Sequence, residues 1–411
     1  MENDRNGRSF DIIVYGATGF TGELVCEYLS KKSGLRLGLA GRNKEKLEKL
    51  KGKLENLKEQ IKTHSIGIVI ADTNDLKSLN KMVSQTVVLC NCVGPYLAHG
   101  YNIIEACVTE GTHYTDLCGE VPWIRKVVQK FHHTAQEKKL KIVPACGFDS
   151  IPSDLGVWLL QKECKKRELK PFSDIVLYVE KSKGTLSGGT AAAIVGNFDF
   201  SDNNKLLAKD SFGPYALYPE GTPKGPHHRD LKTILYDEKR ERWIGPFMMA
   251  GINTRVVRRT NALLNFPYGE DFKYEEVSVY SSKKKARKFL LFGGLFVLGL
   301  KFSLTRKLVH KVFLPKQGDG PSFEQREKGS FKFRITPKDW NSDFYVSVEG
   351  FKDPGYGSTS IMLGEASLCL LKKPEETTPL FGVLTPASGM GMALIDQLND
   401  NQIHFKIEGQ S

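Results

Sequence analysis

The chain has no pair of cysteines at CxxC spacing, although it carries eight, at positions 26, 90, 92, 107, 118, 146, 164 and 369. Zinc ribbons and dithiol redox centres use that spacing, and stapled secreted domains need a denser framework. No metal site or disulfide framework is therefore expected, and the usage suits a reducing, intracellular compartment. Internal repeats and low-complexity tracts are also missing. Residues Met1 to Ser9 are polar and run straight into a strand-like segment, which leaves no room for a secretory signal peptide. Acidic residues are absent from one long stretch. Between Lys283 and Lys311 there are nine Lys or Arg and no Asp or Glu, so much of the net charge of +12 sits there. So local an excess argues against a broad nucleic-acid-binding face. It suits a local anionic partner such as a membrane surface.

What is present reads as two domains. At 411 residues the chain can bury two proper cores. Phe10–Tyr15 is a short apolar, β-branched run, predicted as a buried strand. It leads into Gly16, Ala17, Thr18, Gly19, Phe20, Thr21 and Gly22, and a helical pattern follows to about Lys32. Strand, glycine-rich turn and helix together make a diphosphate cradle. One glycine permits the turn, one admits the ligand, and one lets helix and sheet pack closely. The unpaired N–H groups at the helix start then face the phosphates. The spacing is GxxGxxG rather than GxGxxG.

A second strand, Leu35–Ala40, ends in Gly41-Arg42-Asn43-Lys44. Sites for NAD(H) place a carboxylate near here, on the ribose 2′-hydroxyl. This chain has Arg42 and Asn43, with Lys44 and Lys46 close by. A guanidinium binds a 2′-phosphate with two hydrogen bonds where a carboxylate would repel it, so NADP(H) is favoured over NAD(H). The alternative is that Arg42 is a solvated residue at a helix start. Ile66–Ala71 is a third strand, with Asp72 at its end placed to meet the adenine amine. Thr86–Cys92 is a fourth, running into the turn Asn91-Cys92-Val93-Gly94-Pro95-Tyr96 at the nicotinamide end of the cleft. Helices at about 100–110 and 121–138 and strands at 113–117 and 140–145 continue the alternation. Such alternation implies a mainly parallel sheet covered on both faces.

The turn NCVGPY at 91–96 and the stretch CGFDSIPSDLG at 146–156 resemble the saccharopine dehydrogenase-like oxidoreductases, relatives of saccharopine dehydrogenase and of bacterial trans-acting enoyl reductases. DPGYGST at 353–359 and LTPASGMG at 384–391 extend the resemblance over nearly the full chain. It implies an α/β fold: a Rossmann-type doubly wound parallel sheet (1–155), an inserted α+β domain (156–383), and a C-terminal segment (384–411) returning to the first domain. It further implies association with lipid droplets or membranes.

Strand-like runs at 174–180, 331–336 and 344–349 and a helical segment near 189–198 suit that second domain. The spacing predicts helices over Ser358–Leu371, with Ser358 as N-cap, and over Met392–Leu398. Phe289–Leu300 (FLLFGGLFVLGL) is twelve apolar residues between lysine-rich flanks. As a helix it would reach about 18 Å, and a bilayer core needs about 30 Å, so it does not span. Two readings stand: a buried core helix, or an interfacial segment whose lysines reach headgroups.

No YxxxK pair lies where a short-chain dehydrogenase would use one, since no Tyr occurs between Thr115 and Leu177. Strand ends supply Tyr96, His99, Tyr114, Asp116, Glu120, Asp149, Ser150 and Asp154 to the cleft, and none is singled out as catalytic. Asp116 or Asp149 would serve as proton donor or substrate clamp, while Asp149 or Ser150 would equally cap the helix starting near Pro152. The expected activity is NADPH-dependent reduction of a hydrophobic or lipid-derived substrate. The alternative is a non-enzymatic NADP(H)-binding scaffold or redox sensor on lipid droplets. The expected partners are the dinucleotide, a lipid droplet or membrane surface met through 283–311, and another copy of the chain.

Overall fold

The computed structural model describes residues 7–56, 64–184, 211–301, 305, 320–339 and 342–409. The helix expected near 189–198, and part of the basic stretch after 301, lie outside them. The first sheet is built by β1 (Phe10–Tyr15), β2 (Arg36–Gly41), β3 (Ser65–Ile70), β4 (Thr86–Asn91), β5 (His113–Asp116) and β6 (Lys141–Val143). The connecting helices are α1 (Phe20–Leu29), α2 (Lys44–Glu55), α3 (Leu76–Val83), α4 (Tyr96–Glu110) and α5 (Val121–Glu137). Ile12, Ile13 and Val14 of β1 are all fully buried. A strand covered on both faces has no polar alternation, which is why the run reads as continuously apolar. With β13 (Gly382–Val383) added from far along the chain, strand order is β13-β6-β5-β4-β1-β2-β3, all parallel. The order reverses between β1 and β4, and the crevice at their carboxyl ends is where such sheets take ligands.

α6 (Ile151–Lys166) leads to a second sheet. Its strands are β7 (Asp174–Lys183), β8 (Leu235–Asp237), β9 (Arg242–Pro246), β10 (Lys273–Tyr280), β11 (Ser330–Pro337), β12 (Phe344–Gly350) and β14 (Ile403–Gly409). The order is β14-β12-β11-β7-β10-β9-β8, antiparallel except for β7 beside β10. Between these strands lie α7 (Ala250–Leu263), α8 (Lys283–Lys301), the short α9 (Phe323–Glu327) and a π-helical turn, Pro354–Ser358. α10 (Thr359–Cys369), β13 (Gly382–Val383) and α11 (Pro386–Asn399) complete the chain.

The chain re-enters the first sheet before residue 384. α10 packs beside α1, where Thr115 of β5 and Ser367 share a hydrogen bond of 2.7 Å. β13 then pairs with Lys141 and Ile142 as the edge strand of the first sheet. The last strand, β14, pairs with β12, so residues 384–411 serve both sheets. One apolar core runs through the junction, from Ile12 and Leu37 of the first sheet to Phe333 and Val346 of the second. Ser358 does not cap α10 with its side chain: its hydroxyl donates to the Lys352 carbonyl instead.

Candidate functional site

The glycine turn has the cradle geometry. Gly16 sits at φ +83°, a conformation only glycine adopts without strain, and its N–H and that of Ala17 donate to the Ala40 carbonyl. A Cβ on Gly22 would come within 2.1 Å of the Gly16 carbonyl oxygen, so the first turn of α1 lies directly on the strand end. Gly19 is the N-cap of α1, in extended backbone, and no side chain caps it. The first-turn N–H groups of α1 therefore remain available to an anion, and the dipole favours one. Thr18, Phe20 and Thr21 are half-buried around this opening, and Ala17 is buried beneath it.

The second corner gathers Tyr15, Arg42 and Asp72. Burial first, then the Asp72 carboxylate, push the Tyr15 hydroxyl well up, and Arg42 opposes them. The carboxyl ends of β1, β2 and β3 thus converge electrostatically. Arg42 is exposed just beyond β2. Asn43 has a structural duty: its side chain caps α2, accepting the Lys46 N–H at 2.9 Å. Asp72 holds its own loop by accepting the Asn74 N–H.

The 91–96 turn lies against the glycine turn, since a Cβ on Gly16 would meet Val93 Cγ2 at 2.9 Å. Gly94 is exposed there, and Val93 and Pro95 are half-buried. Several polar candidates turn inward. Asn91 donates to the Tyr114 hydroxyl at 2.9 Å, and Tyr114 donates to Asp116 at 2.7 Å. Asp116 also accepts the N–H groups of Cys118 and Ala145. Burial raises the Asp116 carboxyl to about 7 despite those bonds. Tyr96 is buried and its hydroxyl faces the Asn91 carbonyl. Glu120 accepts the N–H groups of Tyr96 and Leu97 at 2.8 and 2.9 Å. It is the cap of α4, supplied from another loop. His99 is half-buried in the first turn of α4.

The expected cap on α6 is not found. Ser150 holds the N-cap position without a side-chain bond. Among the described residues its Oγ and Asp149 Oδ1, both buried, have no hydrogen-bond partner. Asp154 is engaged across the fold, where it accepts the Thr260 hydroxyl and the Ala387 N–H. Beside Asp149 are residues the sequence did not single out. Glu276 of β10 accepts Tyr274 Oη at 2.8 Å and Asn253 Nδ2 at 3.0 Å. Asn253 Oδ1 is buried and, among the described residues, unpartnered. Burial, then the Glu276 charge, raise Asp149 to about 7, and burial raises Glu276 to about 7. A Cβ on Gly119 would lie 3.7 Å from Asp149 Oδ2. Asp149 thus stands one loop away from Glu120 and the 91–96 turn. Buried polar groups without partners are rare, and this cluster brings together a loop, the middle of β10 and α7.

The comparisons with known proteins agree with this geometry. Residues 12–143 match the saccharopine dehydrogenase NADP binding domain. A Mycobacterium tuberculosis protein named as a trans-acting enoyl reductase is 35% identical over 408 residues, spanning 95% of this chain and 96% of its own. The trans-acting enoyl reductase of Mycobacterium leprae is 32% identical over 406 residues, with the same shares. The chain belongs to this saccharopine dehydrogenase-like family. The saccharopine dehydrogenase (L-Glu forming) of Saccharomyces cerevisiae shares its fold, with a TM-score of 0.52 over 98% of this chain at 13% identity. The protein is thus of reductase type, with an N-terminal domain that binds NADP(H). The open first turn of α1 and the close Gly16–Gly22 approach fit that cofactor.

Proposed function

We propose that this protein is an NADPH-dependent reductase of a hydrophobic, lipid-derived substrate, working at the surface of a lipid droplet or membrane. The observation that carries the reading is α8. Phe289 to Phe292, Leu295, Val297 and Leu298 are all substantially exposed, Leu291 at 63% and Phe292 at 60%. Only Ala286 and Leu300 are buried in 283–300. Four consecutive residues point to every side of a helix, so these side chains form no single stripe. A protein groove covers one stripe, whereas a lipid layer surrounds a helix. Each Phe or Leu withdrawn from water contributes about 1.5–3 kcal/mol, and each flanking lysine near an anionic surface about 1 kcal/mol. Among the described residues no helix is long and apolar enough to cross a membrane. The helix is seated on the second sheet, with Phe289 against Tyr280 at 5.7 Å and Lys283 over Trp243.

The cofactor would be held by residues 16–22 and 91–96, with Arg42 on the 2′-phosphate and Asp72 beside the adenine. When bound, the reduced nicotinamide supplies a hydride. The chain must supply the matching proton, and Asp149 is the group we assign to it: a carboxyl raised to about 7 is substantially protonated at neutral pH. Glu276 keeps that proton in place by disfavouring a second charge beside it. The mycobacterial relatives' names specify an enoyl group, which makes an α,β-unsaturated acyl chain the first substrate class to try. The test is loss of NADPH absorbance with long-chain trans-2-enoyl thioesters and enals presented in vesicles. Tight NADPH binding without turnover of any enoyl or carbonyl lipid would overturn the reading.

A further inference from the structure

Phe20 opens α1, and its ring is held from the far part of the chain. Tyr356 meets it edge-on, with centroids 4.8 Å apart and planes at 75°. The Arg326 guanidinium lies 5.4 Å from the ring centre. A Cβ on Gly320 would collide with the ring at 2.3 Å. These contacts belong to one piece. The Asp353 N–H donates to the Arg326 carbonyl at 2.8 Å, and Asp353 accepts the Tyr356 N–H at 2.8 Å. Residues 320–329 and 353–358 thus lie across the start of the helix that opens the cofactor cradle.

Within that strap, Arg326 is the charge set against the start of α1. The N-terminus of α1 carries the positive end of a helix dipole, so a guanidinium beside it is repelled. Arg326 donates through Nη1 to the Pro321 carbonyl at 2.9 Å, and among the described residues no carboxylate lies within ion-pair reach of it. Its acidic neighbours are engaged elsewhere: Glu324 with Lys328, Glu327 with Lys352, and Asp353 with the Tyr356 N–H. Two positive elements set side by side are stable when an anion sits between them.

We infer that Arg326 completes the diphosphate site of the dinucleotide, reaching it from the second domain opposite the glycine turn. The inference rests on the cofactor occupying that turn. A guanidinium matches a phosphate with two parallel hydrogen bonds, and the aromatic face of Phe20 holds it in place. Arg42 reads the 2′-phosphate and Arg326 the diphosphate, so their losses separate by ligand.

The experiment is titration calorimetry of the full chain with NADPH, NADH and adenosine 2′-monophosphate, which lacks a diphosphate. Arg326→Gln is expected to weaken NADPH and NADH alike, by roughly ten-fold (about 1.4 kcal/mol), and to leave the monophosphate unchanged. Arg326→Lys recovers part of the loss and replaces the glutamine variant if that one fails to fold. Wild-type affinity for NADPH in either folded variant, or a loss confined to ligands with a 2′-phosphate, overturns the inference. Gly19→Asp separates the underlying reading. Aspartate is a good N-cap, so the helix survives, but its carboxylate occupies the diphosphate position. Loss of all dinucleotide binding there, beside an unaffected Arg326→Gln, refutes only the role of Arg326. Undiminished binding in Gly19→Asp refutes the cofactor position and the inference together.

Discussion

Asp154, in the first turn of α6, accepts the backbone N–H of Ala387 at 2.8 Å and so caps α11 from across the molecule. Its other oxygen accepts the Thr260 hydroxyl of α7. One carboxyl thus ties three helices where the two sheets meet. Asp154→Ala is expected to lower unfolding free energy by about 1–3 kcal/mol, combining a lost cap with unpaired buried donors. Equilibrium denaturation checks it. An unchanged midpoint would show that the tie contributes nothing.

The same group gives stability a pH dependence. Burial raises Asp154, and likewise Asp116 and Glu276, to about 7 in the folded chain. A carboxyl raised above its unfolded value stabilises the fold fully below about 4, and that stability is lost as pH climbs through about 7. Melting temperature is therefore expected to fall between pH 5 and pH 8. Asp154→Asn keeps an acceptor for Ala387 and removes one titrating group, so its slope should be shallower, by up to about 1.4 kcal/mol per pH unit. A variant with the wild-type slope would remove Asp154 from the titration.

Much of the first sheet was legible in the sequence because its signals are local. A doubly covered strand such as Phe10–Tyr15 is apolar throughout, and the glycine turn is set by residues a few positions apart. In the second sheet β7, β11 and β12 were legible as strand-like runs, but β8, β9, β10 and β14 were not. β10 reads KYEEVSVY, in which Glu276, bonded to Tyr274 and Asn253, looks no different from its neighbour Glu275, which pairs with Lys338. α7 was missed because Arg258 and Arg259 look like solvent residues, yet both are buried and donate to main-chain carbonyls. Among the cleft candidates, Glu120 and Asp154 proved to be caps for helices distant in sequence. Conversely Asp149 and Ser150, which equally suited a local cap, have buried oxygens without a partner among the described residues. Sequence spacing registers caps within one turn and is blind to those supplied across the fold.

Cofactor choice should follow Arg42. It stands exposed at the end of β2, beside the loop that holds Asp72. Arg42→Asp is expected to weaken NADPH by roughly 10- to 100-fold and to keep or improve NADH binding, through a carboxylate on the ribose 2′-hydroxyl. Titration with both nucleotides decides it. Equal losses for the two would take the 2′-phosphate away from this residue.

Membrane docking should depend on both halves of α8. Leu291→Glu with Leu295→Glu places charge on its exposed apolar surface and should cut co-sedimentation with anionic vesicles at least ten-fold. Replacing Lys283, Lys284 and Lys285 with Ala should weaken binding mainly at low salt, because screening already removes that attraction at high salt. NADPH affinity measured in parallel reports on folding. Vesicle binding that ignores both sets of changes would leave α8 without a lipid role.

The proton donor can be tested apart from the cofactor site. Among the described residues Asp149 Oδ1 has no hydrogen-bond partner, and the carboxyl is raised to about 7 by burial and then by Glu276. A donor must be protonated to act, so the rate should be highest below that value and decline as pH rises through it. Asp149→Asn preserves shape and hydrogen-bonding capacity but has no acid proton. It is expected to bind NADPH normally and to reduce substrate roughly 10²- to 10⁴-fold more slowly, without the alkaline decline. Glu276→Gln removes the neighbouring charge, which lowers the Asp149 value and moves the decline to lower pH. The two variants together distinguish a donor from a structural carboxyl. A structural group would change stability and leave the pH profile where it was. Wild-type turnover by Asp149→Asn, or a decline that stays in place in both variants, would assign the proton to another group.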